Sequence, residues 1–191
     1  MRLALFGFLA AALVTGRAQV IDRIAVTVGA DVFTETEVLE QLRLTALLNG
    51  QKPDESPAAR RQAADRLVEQ DLIRREMTES QYPKPDASES QQMLQVFKRS
   101  RFAGEAEYRQ ALARYQVTEN ALKARLLWQL TALRFTDLRF RSGVAPAAAK
   151  QGAARSLEEP ADQADVDRKL DAWLKEARTR TRIRFRKEAF E

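Results

Sequence analysis

The sequence predicts a mainly α-helical module with a small β-sheet formed by an N-terminal hairpin and a C-terminal strand. Three observations lead there. Apolar residues recur at helical spacing through the middle of the chain, and they alternate at period two near residue 24 and again in the closing stretch "TRTRIRFRKEAF". These two alternating stretches are the strand-like material in the sequence, and a lone strand is not stable in water. The two ends of the chain are therefore expected to meet.

Composition narrows the chemistry. The 191 residues include neither cysteine nor histidine. A disulfide scaffold, a zinc cluster and a Cys/His or Ser/His nucleophilic site are thereby excluded, and a core must supply the stability. The sequence contains no Gly-rich phosphate loop, no G-x-S-x-G and no clustered aspartates of a calcium loop. No cofactor or metal is expected, and the familiar enzyme classes are disfavoured.

The opening "MRLALFGFLAAALVTGRA", residues 1–18, has the pattern of an export signal: Arg2, an apolar run from Leu3 to Val14, then Gly16 and Ala18 at the cleavage positions. The run is shorter than the ~20 residues of a membrane-spanning helix, so a released protein without an integral span is expected. An uncleaved anchor or a buried N-terminal helix is the alternative. Residues 1–18 hold two arginines and no acid, so their removal lowers the net charge from +5 to +3. So small an excess does not single out a polyanion, and no nucleic-acid partner is expected.

"VIDRIAVTV" places Ile24, Val26 and Val28 on one side and Arg23, Ala25 and Thr27 on the other. "GAD" turns the chain into a second short strand, and Thr34 or Thr36 caps the helix that Glu35 and Glu37 open. That first helix carries Val38, Leu39, Leu42, Ala46 and Leu47 and stops at Asn49 and Gly50. A second carries Ala63, Ala64, Leu67, Val68, Leu72, Ile73 and Met77, and "YPKPD" closes it. A third begins near Ala87, with Met93, Leu94, Val96 and Phe97; a short fourth carries Tyr108, Leu112 and Tyr115. The fifth runs from the Thr118 cap to Phe140 through Leu122, Leu126, Leu130 and Leu133, with Leu127, Trp128 and Phe135 widening its stripe.

Residues 19–140 thus form the helical module. Residues 141–164, rich in Ala, Gly, Ser and Pro, read as a flexible linker. Residues 165–191 complete the module with a helix marked by Val166, Leu170, Trp173, Leu174 and Ala177, then a strand. In that strand Thr179, Thr181, Ile183 and Phe185 face one way, and the arginines at 178, 180, 182, 184 and 186 face the other. A nucleic-acid arm would not need Ile and Phe in register. Pairing with the N-terminal hairpin accounts for them, with arginine guarding the open face, while contact with an anionic lipid or polyanion, or disorder, are the alternatives.

The residues "VIDRIAVTVGADVFTETEVLEQL", "ADRLVEQDLIRREM", "YRQALARYQVTENALKARL" and "LDAWLKEARTRTRIRF" carry a resemblance to the SurA family of periplasmic chaperones. The family's N-terminal module similarly opens with strand, turn, strand and an acidic helix start, and its C-terminal helix and strand return to complete it. SurA-like proteins and the related PrsA foldases usually carry parvulin-type prolyl isomerase domains before that return. Here the corresponding space, residues 141–164, is far below the ~50 residues of a minimal domain. Parvulin sites also typically use histidines. The resemblance therefore implies a chaperone without isomerase activity, its partners being unfolded polypeptide clients such as outer-membrane protein segments.

The third, fourth and fifth helices hold more aromatic residues than a small bundle requires: Phe97, Phe102, Tyr108, Tyr115, Trp128 and Phe135. They are either core or the lining of a peptide-binding groove, with Lys98, Arg99, Arg101 and Arg114 flanking it for acidic or C-terminal groups of a client. A scaffold subunit with one dedicated partner is the competing reading, and an isomerase-family protein with a residual foldase role is a third.

Overall fold

The computed structural model describes residues 22–141 and 163–191. The stretch expected to be a signal, 1–18, and nearly all of the expected linker at 141–164 lie outside the described residues. Those described are mainly helical, with a small three-stranded antiparallel sheet.

Two strands open the fold: β1 (Ile24–Val28) and β2 (Asp31–Thr34). Gly29 sits at φ +60° at the first position of the two-residue turn between them, a conformation glycine adopts at no steric cost. Five helices follow: α1 (Glu35–Asn49), α2 (Pro57–Glu79), α3 (Ala87–Arg101), α4 (Glu105–Tyr115) and α5 (Glu119–Thr136). The α5 helix does not run unbroken to Phe140 as its period predicts, because Asp137–Arg141 widen into a π-helical turn. The last elements are α6 (Gln163–Arg180), β3 (Ile183–Phe185) and a 3-10 turn at Lys187–Ala189.

Strand order is β2-β1-β3, so the chain's tail lies beside its head. Val26 pairs with Phe185 and Val28 with Ile183, and the backbone bonds Gly29 N–H to Arg182 O and Arg186 N–H to Ala25 O extend the ladder at both ends. Phe185 also lies under the Arg61 guanidinium of α2, 3.5 Å from its ring centroid.

The ladder of five arginines is not all strand. The α6 helix continues through Arg180, so only Arg184 lies within β3, and Arg178 points instead at α2. There it meets Asp65 at 3.2 Å and Glu69 at 3.0 Å, two carboxylates one helical turn apart. A tertiary ion pair thus favours helix where the local alternation suggests strand.

The alternation in β1 needs a similar correction. The register between β1 and β2 shifts between Ile24 and Val26, a bulge that leaves Ala25 without a partner on β2. Ala25 is fully buried, while Ile24 is 40% exposed. Val96 and Leu133, read as stripe positions, are also exposed, at 65% and 56%.

Helix ends match their residues. Thr34 and Glu37 form a reciprocal capping box at α1, and Gly50 closes that helix in the left-handed conformation. Replacing Thr34 by alanine removes the hydroxyl acceptor of the Glu37 amide, and a stability loss of about 1 kcal/mol is expected. A thermal melt checks this: Tm should fall by roughly 2–4 °C.

Three apolar clusters make up the core. The sheet, the start of α1 and the first half of α2 enclose Val26, Phe33, Leu42, Ala64 and Val68. The end of α1, with α3, α4 and the start of α5, encloses Leu47, Leu94, Tyr108 and Leu122. The end of α2, the end of α5 and α6 meet around Phe135, with Ile73, Met77, Tyr82 and Leu174.

Candidate functional site

A groove of about 550 Å³ lies between α1, α2 and α5. Its apolar surface comes from Leu44 of α1, Leu67 and Met77 of α2, Ala121, Leu127 and Trp128 of α5, and Phe33 of β2. Leu44, Leu67 and Met77 are buried and form the floor; Glu37, Arg74, Thr78 and Lys84 are exposed and form the rim. A cavity of this size, with apolar walls and a few polar groups, is of the kind that proteins use to hold ligands.

Of the six aromatic residues that the sequence singles out, only Trp128 lines this groove. Tyr108 and Phe135 are almost fully buried and belong to the core. Phe97, Phe102 and Tyr108 form a chain of edge-to-face contacts, with centroids 5.6 and 5.5 Å apart, that ties α3 to α4. Phe102 and Tyr115 border a separate cavity of about 160 Å³ beside Leu47, Arg101 and Arg114. The six therefore do not converge on one surface. Burying a large apolar ring against neighbouring helices releases more free energy than exposing it, and four helices meet where these rings lie.

Two of the flanking cations, Lys98 and Arg101, are likewise engaged. Lys98 bridges Glu105 at 3.0 Å and Glu119 at 3.3 Å and sits 4.1 Å from the Tyr108 ring centroid. Partial burial opposes its charge, but the hydrogen bonds to the two glutamates outweigh that and raise its pKa. Burial and the nearby Glu119 carboxylate hold the Tyr108 hydroxyl above its ordinary range. Arg101 donates to the Leu48 carbonyl at 3.0 Å.

Three groups near the groove escaped the sequence reading. Gln41, in the wall formed by α1, is buried, and its Nε2 has no hydrogen-bond acceptor among the described residues. Arg125 of α5 lines the groove, whereas Arg66 of α2 does not; among the described residues the Nε of each is buried without an acceptor. Burial first, and then the like charge of Arg66, lower the pKa of Arg125. A signal existed for each: Gln41 follows Val38, Arg66 follows Ala63 and Arg125 follows Leu122, all by three positions, so all are polar residues set into apolar stripes.

No family model matches the chain, and no curated protein matches it. Among the described residues no helix is long and apolar enough to cross a membrane.

Proposed function

We propose that the protein is a holdase-type chaperone that binds unfolded polypeptide segments in the groove between α1, α2 and α5, and that it works in the periplasm on outer-membrane protein segments without isomerase activity. The observation that carries this reading is the groove itself: about 550 Å³, open at its rim, with Leu67, Met77, Leu127 and Trp128 along its walls. Such a surface suits extended chains that alternate apolar and polar side chains, because the walls take the former and the rim groups solvate the backbone. The resemblance of the strand–turn–helix opening and the helix–strand ending to the SurA family points the same way. Binding of this kind is reversible and needs no nucleotide.

The test is suppression of aggregation for several unrelated proteins diluted from denaturant. The chain should protect all of them, and Trp128→Ala should weaken that protection by about tenfold in the concentration required, since truncating a central aromatic anchor costs roughly 1–2 kcal/mol of binding. Protection of a single protein among many would favour a scaffold subunit with one dedicated partner. Protection unaffected by Trp128→Ala would remove this groove as the site.

A further inference from the structure

The arginines of this protein are, for the most part, paired where they are shielded from solvent. Arg75 meets Asp71 and Asp31, Arg139 meets Glu76, Arg178 meets Asp65 and Glu69, and Arg134 meets Glu89. Arg125 and Arg66 break the pattern. Neither has a carboxylate within ion-pair distance among the described residues, their Nε atoms are buried without acceptors, and the two like charges repel. Gln41, only 5% exposed, adds an amide donor without an acceptor on the opposite wall.

Burying an arginine without a counter-charge is costly, and leaving donors unmet beside it adds to the cost. A chain whose Arg125 served only packing would be better served by methionine or leucine. Unmatched donors that converge on a cavity are explained by an acceptor that arrives with a ligand. A carboxylate meets the requirement: it carries a negative charge, it accepts about four hydrogen bonds through two oxygens, and its plane matches the guanidinium fork.

We propose that the groove holds an aspartate or glutamate side chain of the bound polypeptide, its carboxylate received by Arg125 and Gln41. This assignment rests on the groove's being the polypeptide site. The depth of the donors selects a side chain over the backbone: Gln41 is buried beside the floor residues Leu44 and Leu67, whereas Glu37, Arg74 and Lys84 stand at the rim along which an extended chain runs. The apolar walls on either side of the donors select an acidic residue with apolar neighbours, since a free carboxylic acid would leave Leu67, Met77 and Trp128 wet. The groove's own acids do not satisfy the donors. Glu37 is engaged by the Thr34 amide in the helix cap, and Glu40 makes no ion pair with either arginine.

The experiment uses fluorescence anisotropy of labelled peptides, acetylated and amidated at their ends, that carry one central glutamate or glutamine between aromatic and aliphatic residues. A third peptide has the glutamine and a free C-terminus. The chain should bind the glutamate peptide about tenfold more tightly than the glutamine peptide, the strength expected of one charge-assisted contact. Arg125→Met should abolish that preference by weakening glutamate-peptide binding, and raise the Tm, because an unpaired half-buried charge is removed; Gln41→Leu should reduce the preference without abolishing it. Equal affinity for the two amidated peptides would overturn the carboxylate assignment while leaving the groove as a polypeptide site. Preference for the free C-terminus over the internal glutamate would overturn it in favour of terminus recognition. If no peptide binds, the reading of the groove fails and the assignment fails with it.

Discussion

Replacing Phe135 by alanine should destabilise the protein by about 3–5 kcal/mol, a large share of the 5–15 kcal/mol typical of a domain. The ring is fully buried and touches three other aromatic residues: Trp173 at 5.0 Å between centroids, Phe140 at 5.7 Å and Tyr82 at 5.8 Å. These belong to four separate stretches, namely the end of α5, the π-helical turn, α6 and the segment after α2. Truncation leaves a cavity that none of the four can fill alone, and it loosens α6 from the body. Urea unfolding should show the midpoint falling with little change in slope. A loss below about 1 kcal/mol would mean that the tail is held chiefly by β3 and by the Arg178 ion pairs.

The second large effect is expected at Arg75. Its guanidinium bridges Asp71 at 2.7 Å and Asp31 at 2.5 Å and donates to the Val28 carbonyl, fixing the hairpin turn to α2. Asp71 is buried; desolvation raises its pKa, and the Arg75 charge opposes that rise. Arg75→Met removes the opposing charge and leaves a carboxylate uncompensated, for an expected loss of roughly 3 kcal/mol at neutral pH.

The sign of its pH dependence follows from linkage. A carboxyl whose folded pKa lies above its unfolded value binds its proton more tightly when folded, so its destabilising effect is complete above the folded pKa and fades as pH falls toward the unfolded one. Arg75→Met shifts the folded pKa further up and widens that window. The double variant Arg75→Met/Asp71→Asn should therefore recover most of the loss at neutral pH, and the two variants should converge in acid. Parallel melts of both across pH are the check, and a gap that persists unchanged into acid would contradict it.

Much of the fold was legible because its cues are local. The α2 stripe Ala63, Ala64, Leu67, Val68, Leu72, Ile73 and Met77 is buried throughout, since those seven side chains fall on one face of a helix whatever it packs against. The Thr34 cap and the Gly50 stop act within one turn. The return of the tail was legible for a different reason: Ile183 and Phe185 need a sheet, and one hairpin could supply it. What stayed hidden depends on partners. The bulge at Ala25 arises from pairing two residues of β1 against one of β2, and Arg178 goes to α2 because Asp65 and Glu69 are there.

The groove was the least legible feature. Its walls come from α1, α2 and α5, the last separated from the others by two intervening helices, and the six aromatic residues mostly mark the core where helices converge. Of those six only Trp128 reaches the groove. A polar side chain inside an apolar stripe, as at Gln41 and Arg125, was the better indicator, because burial of an unmatched donor needs a reason that packing does not provide.

The central claim is that client chains occupy the space between α1, α2 and α5. Amide hydrogen exchange on the full chain, with and without a saturating unfolded client, tests it most directly. The account predicts slower exchange confined to Glu37–Leu44, Gln70–Thr78 and Ala121–Thr131, with β1 and β3 protected equally in both states. Protection that appears instead around Phe102 and Tyr115, or nowhere on these three helices, would contradict it.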